Sequence, residues 1–136
     1  MKDYYKRYCK ILTLKNDSEL IQQYKEVHGI DKAWPEITNG MKEVGIIDME
    51  IYIHGNILFM IMDTVSDFDH EKAMMELAAK PRQNEWENFV SRFQISDPGA
   101  TAGGKWILME RIYEMDQKSE YRAITGQLKK VSRMTD

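Results

Sequence analysis

The chain has 136 residues, of which 43% are hydrophobic and 30% charged, so it is long enough for one globular domain with a buried core. Its net charge of −3 argues against a nucleic-acid partner, and its one cysteine excludes an internal disulfide and suits the reducing cytoplasm. No apolar run approaches the roughly 20 residues of a membrane helix, and the charged start does not resemble a signal peptide. We expect a cytoplasmic protein with no membrane partner.

The first third of the chain predicts one strand and two helical segments. Residues 8–14 are rich in β-forming side chains, and Asn16 or Asp17 can cap the helix that follows. Gly29 ends this helix, Pro35 fits the first turn of the next, and Gly45 closes it. Apolar and aromatic residues recur at helical spacing in the first helix, namely Leu20, Ile21, Tyr24, Val27 and His28.

The middle of the chain predicts a hairpin. Residues 47–54 alternate between apolar and polar side chains, residues 57–62 are continuously apolar, and Gly55-Asn56 forms a tight turn between them. Asp67 is then expected to cap a helix, which Pro81 restarts. A loop over residues 96–104 and a last strand over residues 106–115 complete the prediction.

The order strand, helix, strand, strand, helix, strand is typical of a ferredoxin-like α+β sandwich with its helices on one face of an antiparallel sheet. Large apolar residues on both faces of the strands suggest that a second copy covers the other face, as in a homodimer. We assign residues 1–116 to this domain and residues 117–136 to a basic C-terminal extension, for which a solvated tail and a partner-binding helix both remain open.

The residues that could carry chemistry are few. His28, His54 and His70 lack metal-ligand spacing, Cys9 fits a core position, and no glycine-rich loop joins a strand to a helix, so we predict no metal site. Tyr24 and His28 are one helical turn apart and share the inward face, where a phenol and an imidazole could flank a small polar ligand. A lone histidine near a helix end is also commonly structural.

Two further side chains have two readings each, and a third has one. Trp86 either packs in the core or stacks on a ligand, Glu50 either faces solvent or enters a polar cleft, and Glu36 favours the start of its helix. Spacing alone does not choose between these readings.

The chain resembles the L-rhamnose mutarotase family over almost everything from Arg7 to Met115. No single motif is specific, but their order and spacing together are. The matching pieces are Arg7-Tyr8-Cys9, Tyr24-Lys25-Glu26-Val27-His28, Trp34-Pro35-Glu36, residues 45–52, residues 58–61, Trp86-Glu87 and residues 106–110.

The resemblance implies a homodimeric α+β barrel of ferredoxin-like subunits. It implies a cofactor-free isomerase that interconverts the α and β anomers of a free deoxyhexose, a small-molecule monosaccharide, by histidine-mediated ring opening. His28 matches the family's proton-donating histidine and Tyr24 its ligand-contacting tyrosine, while Trp86 matches the second of two adjacent sugar-contacting tryptophans.

Three departures from the family pattern bear on sugar preference. Glu85 stands where the first of those tryptophans is found, Met49 replaces a strand tyrosine, and two extra residues separate His28 from Trp34. L-Rhamnose, L-fucose or another deoxy sugar therefore remain alternative substrates. The expected catalytic residues are His28 and Tyr24, and the expected sugar-binding positions are Trp86, Glu85, Met49, Trp34 and Glu50.

Two other functions use the same fold. One is a non-catalytic small-ligand-binding domain, which would bind sugar but leave anomer exchange at its spontaneous rate. The other is an α+β-barrel monooxygenase that works without a cofactor on an oxidisable substrate. Fold does not decide among these functions.

Overall fold

The computed structural model describes residues 4–95, 105–113, 115 and 127–130. The predicted loop 96–104 and most of the basic extension lie outside these ranges. Within them the elements follow in the order β1 (Tyr4–Thr13), α1 (Ser18–Val27), α2 (Pro35–Glu43), β2 (Ile46–His54), β3 (Ile57–Thr64), α3 (His70–Ala78), α4 (Gln83–Ser91), β4 (Ile107–Leu108) and β5 (Gln127–Lys130).

The strands form one antiparallel sheet in the order β2-β3-β1-β4, and β5 pairs with β1 on the same side as β4. This order confirms the predicted ferredoxin-like α+β fold. β1 is central, since every one of its residues from Lys6 to Thr13 has a partner on β3. The polar groups of a buried backbone must be paired, and β1 pairs with β3 on one side and with β4 and β5 on the other.

The helices begin where the sequence provides capping groups. The Asp17 carboxylate accepts hydrogen bonds from the backbone amides of Glu19 and Leu20 at 3.0 and 3.1 Å, which satisfies two free donors at the start of α1. Pro35 occupies the first turn of α2, where its missing N–H costs nothing. Gly45 follows α2 with a φ of +106°, a conformation that a residue with a Cβ adopts only under strain.

The two faces of the sheet differ in what covers them. Side chains on alternate positions of β1 and β3 point towards the helices and are buried, among them Tyr8, Leu12, Met60 and Met62. The intervening positions form the open face, which no described helix covers. Its partly or fully exposed apolar residues are Ile11, Tyr52, Ile57, Phe59, Ile61 and Ile107.

The core consists of two clusters that meet in the middle of the sheet. One surrounds Tyr8 and Phe68 next to α3, and the other surrounds Tyr24 and Phe93 between α1 and α4. Ile51 and Trp106 pack against both clusters. The region between the clusters, above the centre of the sheet, is where the candidate site lies.

Four local predictions are wrong. Asp69 rather than Asp67 caps α3, accepting the Lys72 amide at 3.2 Å. The last predicted strand shrinks to the two residues of β4, and residues 109–113 are not in a strand. Cys9 points to the open face and is partly exposed instead of lying in the core. A bulge at Ile47 leaves that side chain 58% exposed and puts Ile46 into the core.

Candidate active site

A cavity of about 450 Å³ lies between the helices and the centre of the sheet. This volume is within the usual range for a small-ligand pocket. One side of the cavity is aromatic and the sheet beneath it is apolar. The aromatic residues are Tyr24, His28, Trp34, Trp86 and Trp106, and the apolar ones include Met49, Ile51, Met60 and Met62.

Tyr24 and His28 are brought together as the helical spacing predicts. Their ring centroids are 4.3 Å apart, and the His28 Nδ1 lies 2.8 Å from the backbone carbonyl oxygen of Tyr24. A carbonyl oxygen only accepts, so Nδ1 carries the hydrogen of this bond. The neutral ring therefore keeps its lone pair on Nε2, which is the nitrogen left for a ligand.

His28 follows the last residue of α1 and lies at the opening of the cavity, since it lines the cavity and is also exposed. The rings of Tyr24 and Trp86 pack against it, with the Trp86 centroid at 5.5 Å. This partial burial lowers the pKa of His28, and the hydrogen bond to the Tyr24 carbonyl opposes the shift. At neutral pH the ring is therefore mainly neutral and able to accept a proton.

Tyr24 is 4% exposed, and burial raises the pKa of its phenol to about 12. A hydrogen bond that the Gln94 side-chain amide N–H donates to the phenol oxygen opposes this shift, while the negative charge of Glu87 adds to it. The phenol therefore stays protonated at neutral pH. It is suited to donate a hydrogen bond to a ligand oxygen rather than to serve as a base.

The two predicted tryptophans lie side by side at the cavity. Trp34 at the start of α2 and Trp86 on α4 have ring centroids 5.1 Å apart. The guanidinium of Arg82 lies 4.2 Å from the Trp34 ring centroid and also pairs with the carboxylates of Glu36 and Glu85. These contacts hold α2 against α4 and fix the orientation of Trp34.

Glu85 and Glu50 are not brought to the cavity. Glu85 is exposed and its carboxylate is bound by Arg82, so it acts on the site only through the Arg82–Trp34 contact. Glu50 is on the open face, where it accepts a hydrogen bond from the Tyr52 hydroxyl at 3.0 Å. Met49, by contrast, lines the cavity as the alternation of β2 predicts.

Sequence reasoning missed a set of buried polar residues at the cavity. Glu87 is bound on one oxygen by Lys105 at 3.0 Å and on the other by Gln83 at 2.6 Å. The side-chain carbonyl oxygens of Gln83 and Gln94 are buried and have no hydrogen-bond partner. Buried carbonyl oxygens without partners are acceptors available to a ligand hydroxyl.

Lys10 was also missed, and it is the most unusual of these residues. It lines the cavity from the core face of β1, between Tyr8 and Leu12, and is only 2% exposed. Burial lowers the pKa of its amine to about 8. The signal in the sequence was a charged residue at an inward position of an alternating strand.

The described residues contain no group of three or more histidine, cysteine, aspartate or glutamate side chains that could hold a metal ion. No helix in the described ranges is long and apolar enough to cross a membrane. The site is an aromatic and polar pocket on an antiparallel α+β sandwich, an arrangement suited to bind a small ligand or to transfer protons.

Comparison with known proteins identifies the class. The family model described as L-rhamnose mutarotase matches residues 7–115, and the chain belongs to this family. The family interconverts sugar anomers, so the chain is a carbohydrate isomerase, a sugar mutarotase, as the resemblance implied.

Two curated relatives and one solved structure are similar to the chain. The L-fucose mutarotase of Xanthomonas campestris pv. campestris is 34% identical over 111 residues, which cover 82% of this chain and 89% of that protein. The L-rhamnose mutarotase of Flavobacterium johnsoniae is 32% identical over 88 residues, covering 63% and 77% respectively. The crystal structure of L-rhamnose mutarotase from Formosa agariphila has the same fold, with a TM-score of 0.61 at 24% identity over 80% of this chain and 97% of that one.

Proposed function

We propose that the protein interconverts the α and β anomers of a free deoxyhexose related to L-fucose or L-rhamnose, with His28 transferring protons. The observation that carries this proposal is the position of His28 at the cavity opening, with Nδ1 committed to the Tyr24 carbonyl and Nε2 left free. Mutarotation requires removal of the anomeric hydroxyl proton as the ring oxygen gains one. An imidazole with a pKa near neutrality can perform such transfers.

The sugar lies with one face against the indole of Trp86, and Trp34 completes the aromatic side of the cavity. Tyr24 donates a hydrogen bond to the sugar, and the free oxygens of Gln83 and Gln94 accept hydrogen bonds from its hydroxyl groups. The apolar surface that includes Met49 suits the methyl group of a deoxyhexose. The choice of L-fucose and L-rhamnose follows the names of the two relatives.

The experiment is a panel of free sugars screened for anomer exchange by saturation-transfer NMR. Loss of a general acid–base group typically costs 10²–10⁴-fold, so we expect His28→Ala to lower the exchange rate constant by about 10²-fold or more. Gln23→Ala is the matched control, because Gln23 is an exposed residue on the same helix.

A His28→Ala protein that exchanges anomers as fast as the unaltered protein would remove His28 from the mechanism. An unaltered protein that binds sugar but leaves exchange at its spontaneous rate would instead be a binding domain. Binding can be followed by tryptophan fluorescence, since all three tryptophans line the cavity.

The open face of the sheet supports a homodimer. Tyr52, Ile57 and Ile107 are 43–65% exposed there and lie beside the partly exposed Phe59 and Ile61. Burying these apolar side chains away from water is favourable. We therefore propose that a second copy packs against this face, sheet against sheet. Analytical ultracentrifugation of the protein and of a Phe59→Lys variant tests it, because a charge in the interface should yield monomers.

A further inference from the structure

Mutarotation needs two proton-transfer groups, and His28 is only one of them. When the pyranose ring opens, the anomeric oxygen loses a proton and the ring oxygen gains one, and ring closure reverses both transfers. One side chain that is protonated at neutral pH and one that is not can perform both transfers directly, without water as the proton donor or acceptor. The titratable groups that line the cavity are Lys10, Tyr24, His28, Lys42, Asp48 and Glu87.

Three of these groups are poorly suited to be the second one. The Tyr24 phenol holds its proton too tightly, because burial raises its pKa to about 12. Both carboxylate oxygens of Glu87 are occupied, one by Lys105 and the other by Gln83. The Asp48 carboxylate is exposed and accepts the backbone amide of Met49 at 2.9 Å.

Lys42 and Lys10 differ in their surroundings. Lys42 is exposed near the end of α2, whereas Lys10 is 2% exposed and projects from the centre of the sheet. Among the described residues, no carboxylate forms an ion pair with Lys10 and no group accepts a hydrogen bond from it. Because a buried ammonium needs acceptors, the oxygens of a ligand in the cavity can serve as its partners.

We propose that Lys10 is the second proton-transfer group, whose ammonium donates a proton to the ring oxygen as the free Nε2 of His28 takes the anomeric hydroxyl proton. This inference rests on the proposed mutarotase function and adds a catalytic residue to it. The C1–O5 bond breaks and its electron pair passes to O5, which receives the Lys10 proton, while the electrons of the O1–H bond form the carbonyl. On closure, the Lys10 amine retakes the proton from O5 and His28 returns its own to O1, so no net proton is gained or lost.

The surroundings of the two residues favour these roles. Partial burial makes His28 neutral at neutral pH, and Lys10, with a pKa of about 8, stays mostly protonated. Environments that place two pKa values on either side of the working pH define an acid and a base. The titratable groups near Lys10 do not neutralise its charge. Burial raises the pKa of Tyr8, which stays protonated, and lowers the pKa of His70 on α3 to about 4, so His70 is neutral. Asp69 is exposed and forms no ion pair with Lys10.

The test is the pH dependence of kcat/KM for anomer exchange, with the spontaneous rate subtracted at each pH. We expect a bell-shaped profile whose alkaline limb, near pH 8, reflects loss of the Lys10 proton. Lys10→Met should lower kcat by about 10²-fold and remove the alkaline limb, while KM changes little. Lys72→Met is the control, since Lys72 is an exposed lysine on α3 outside the cavity.

A second variant separates proton transfer from charge. Lys10→Arg keeps a positive charge but holds its proton too tightly to donate it, so it should stay nearly as slow as Lys10→Met. An arginine variant with the unaltered rate would overturn the proposal. So would a Lys10→Met protein with an unchanged profile, or one with an unchanged kcat and a raised KM, which would make Lys10 a binding residue only.

Failure of the proposed function has a different signature. In that case the unaltered protein catalyses no anomer exchange with any sugar of the panel, whatever residue stands at position 10. Methionine has about the length of lysine and is apolar, so the variant should fold. The circular dichroism and fluorescence spectra of Lys10→Met check this.

Discussion

Among the residues that the structure describes, two lysines are buried, and their surroundings differ completely. The Lys105 ammonium donates to the Glu87 carboxylate, the Glu87 backbone carbonyl and the Ser91 hydroxyl, at 2.9–3.0 Å. Lys10 forms no such contact with any described residue and instead lines the cavity. A buried ammonium with all three hydrogens bound is part of the structure, whereas one left without acceptors lowers stability and is available to a ligand.

The largest expected effect comes from removing the partner of the bound lysine. Glu87→Gln leaves the Lys105 charge buried without a counter-charge, and breaking a buried ion pair in this way typically costs about 3–5 kcal/mol of unfolding free energy. Urea denaturation followed by circular dichroism measures it. The double variant Glu87→Leu with Lys105→Met should recover most of the loss, and a double variant as unstable as Glu87→Gln would show that the loss is not caused by the charge.

The opposite effect is expected at the lysine without acceptors. The pKa of Lys10 falls from 10.5 to about 8 on folding, so at neutral pH its charge costs on the order of 3 kcal/mol, and Lys10→Met should raise the unfolding free energy by up to this amount. The unfolded chain binds the proton more tightly than the folded one. The cost is therefore complete below pH 8 and is relieved between pH 8 and 10.5.

Denaturation of Lys10→Met and the unaltered protein at pH 7 and pH 10 checks the sign of this effect. The difference in unfolding free energy between them should shrink as the pH rises. A difference that grows with pH, or a variant less stable at pH 7, would show that the Lys10 amine has acceptors after all.

The smallest expected effect is the loss of one acceptor of Lys105. Ser91→Ala removes the hydroxyl that accepts from Lys105 at 3.0 Å and donates to the Glu87 backbone carbonyl at 2.6 Å. The ammonium keeps its other two contacts, so the loss should be about 1 kcal/mol. Equilibrium urea titration resolves a change of this size, and one as large as that of Glu87→Gln would make the hydroxyl, rather than the carboxylate, the main partner.

The fold was predictable because local signals agreed with one another. The alternation over residues 47–54, the Gly55-Asn56 turn and the helical spacing around Tyr24 each reflect short-range geometry that tertiary packing then preserved. The errors occurred where packing decided between local alternatives. Asp67 and Asp69 are both plausible caps, and the bulge at Ile47 shows in no local pattern.

The candidate site was predictable only in part. Tyr24 and His28 are neighbours on one helix, so their spacing was sufficient, and the tryptophans followed from the family resemblance. Lys10, Gln83 and Glu87 come from β1 and α4, whose proximity depends on how the helices lie over the sheet. Glu50 alternates with Met49 and Ile51, which line the cavity, so it lies on the open face, in line with the solvent-facing one of its two readings.

The pairing of β5 with β1 has a consequence for how the chain acquires its structure. Tyr4 is opposite Lys130, so strands near the two ends of the sequence complete the same sheet. On one side, the backbone of residues 4–7 pairs with residues that lie far along the chain. Contacts of such long sequence separation slow folding, since loop closure is unfavourable until they form. The complete sheet can therefore form only after residues 127–130 have been synthesised and released from the ribosome.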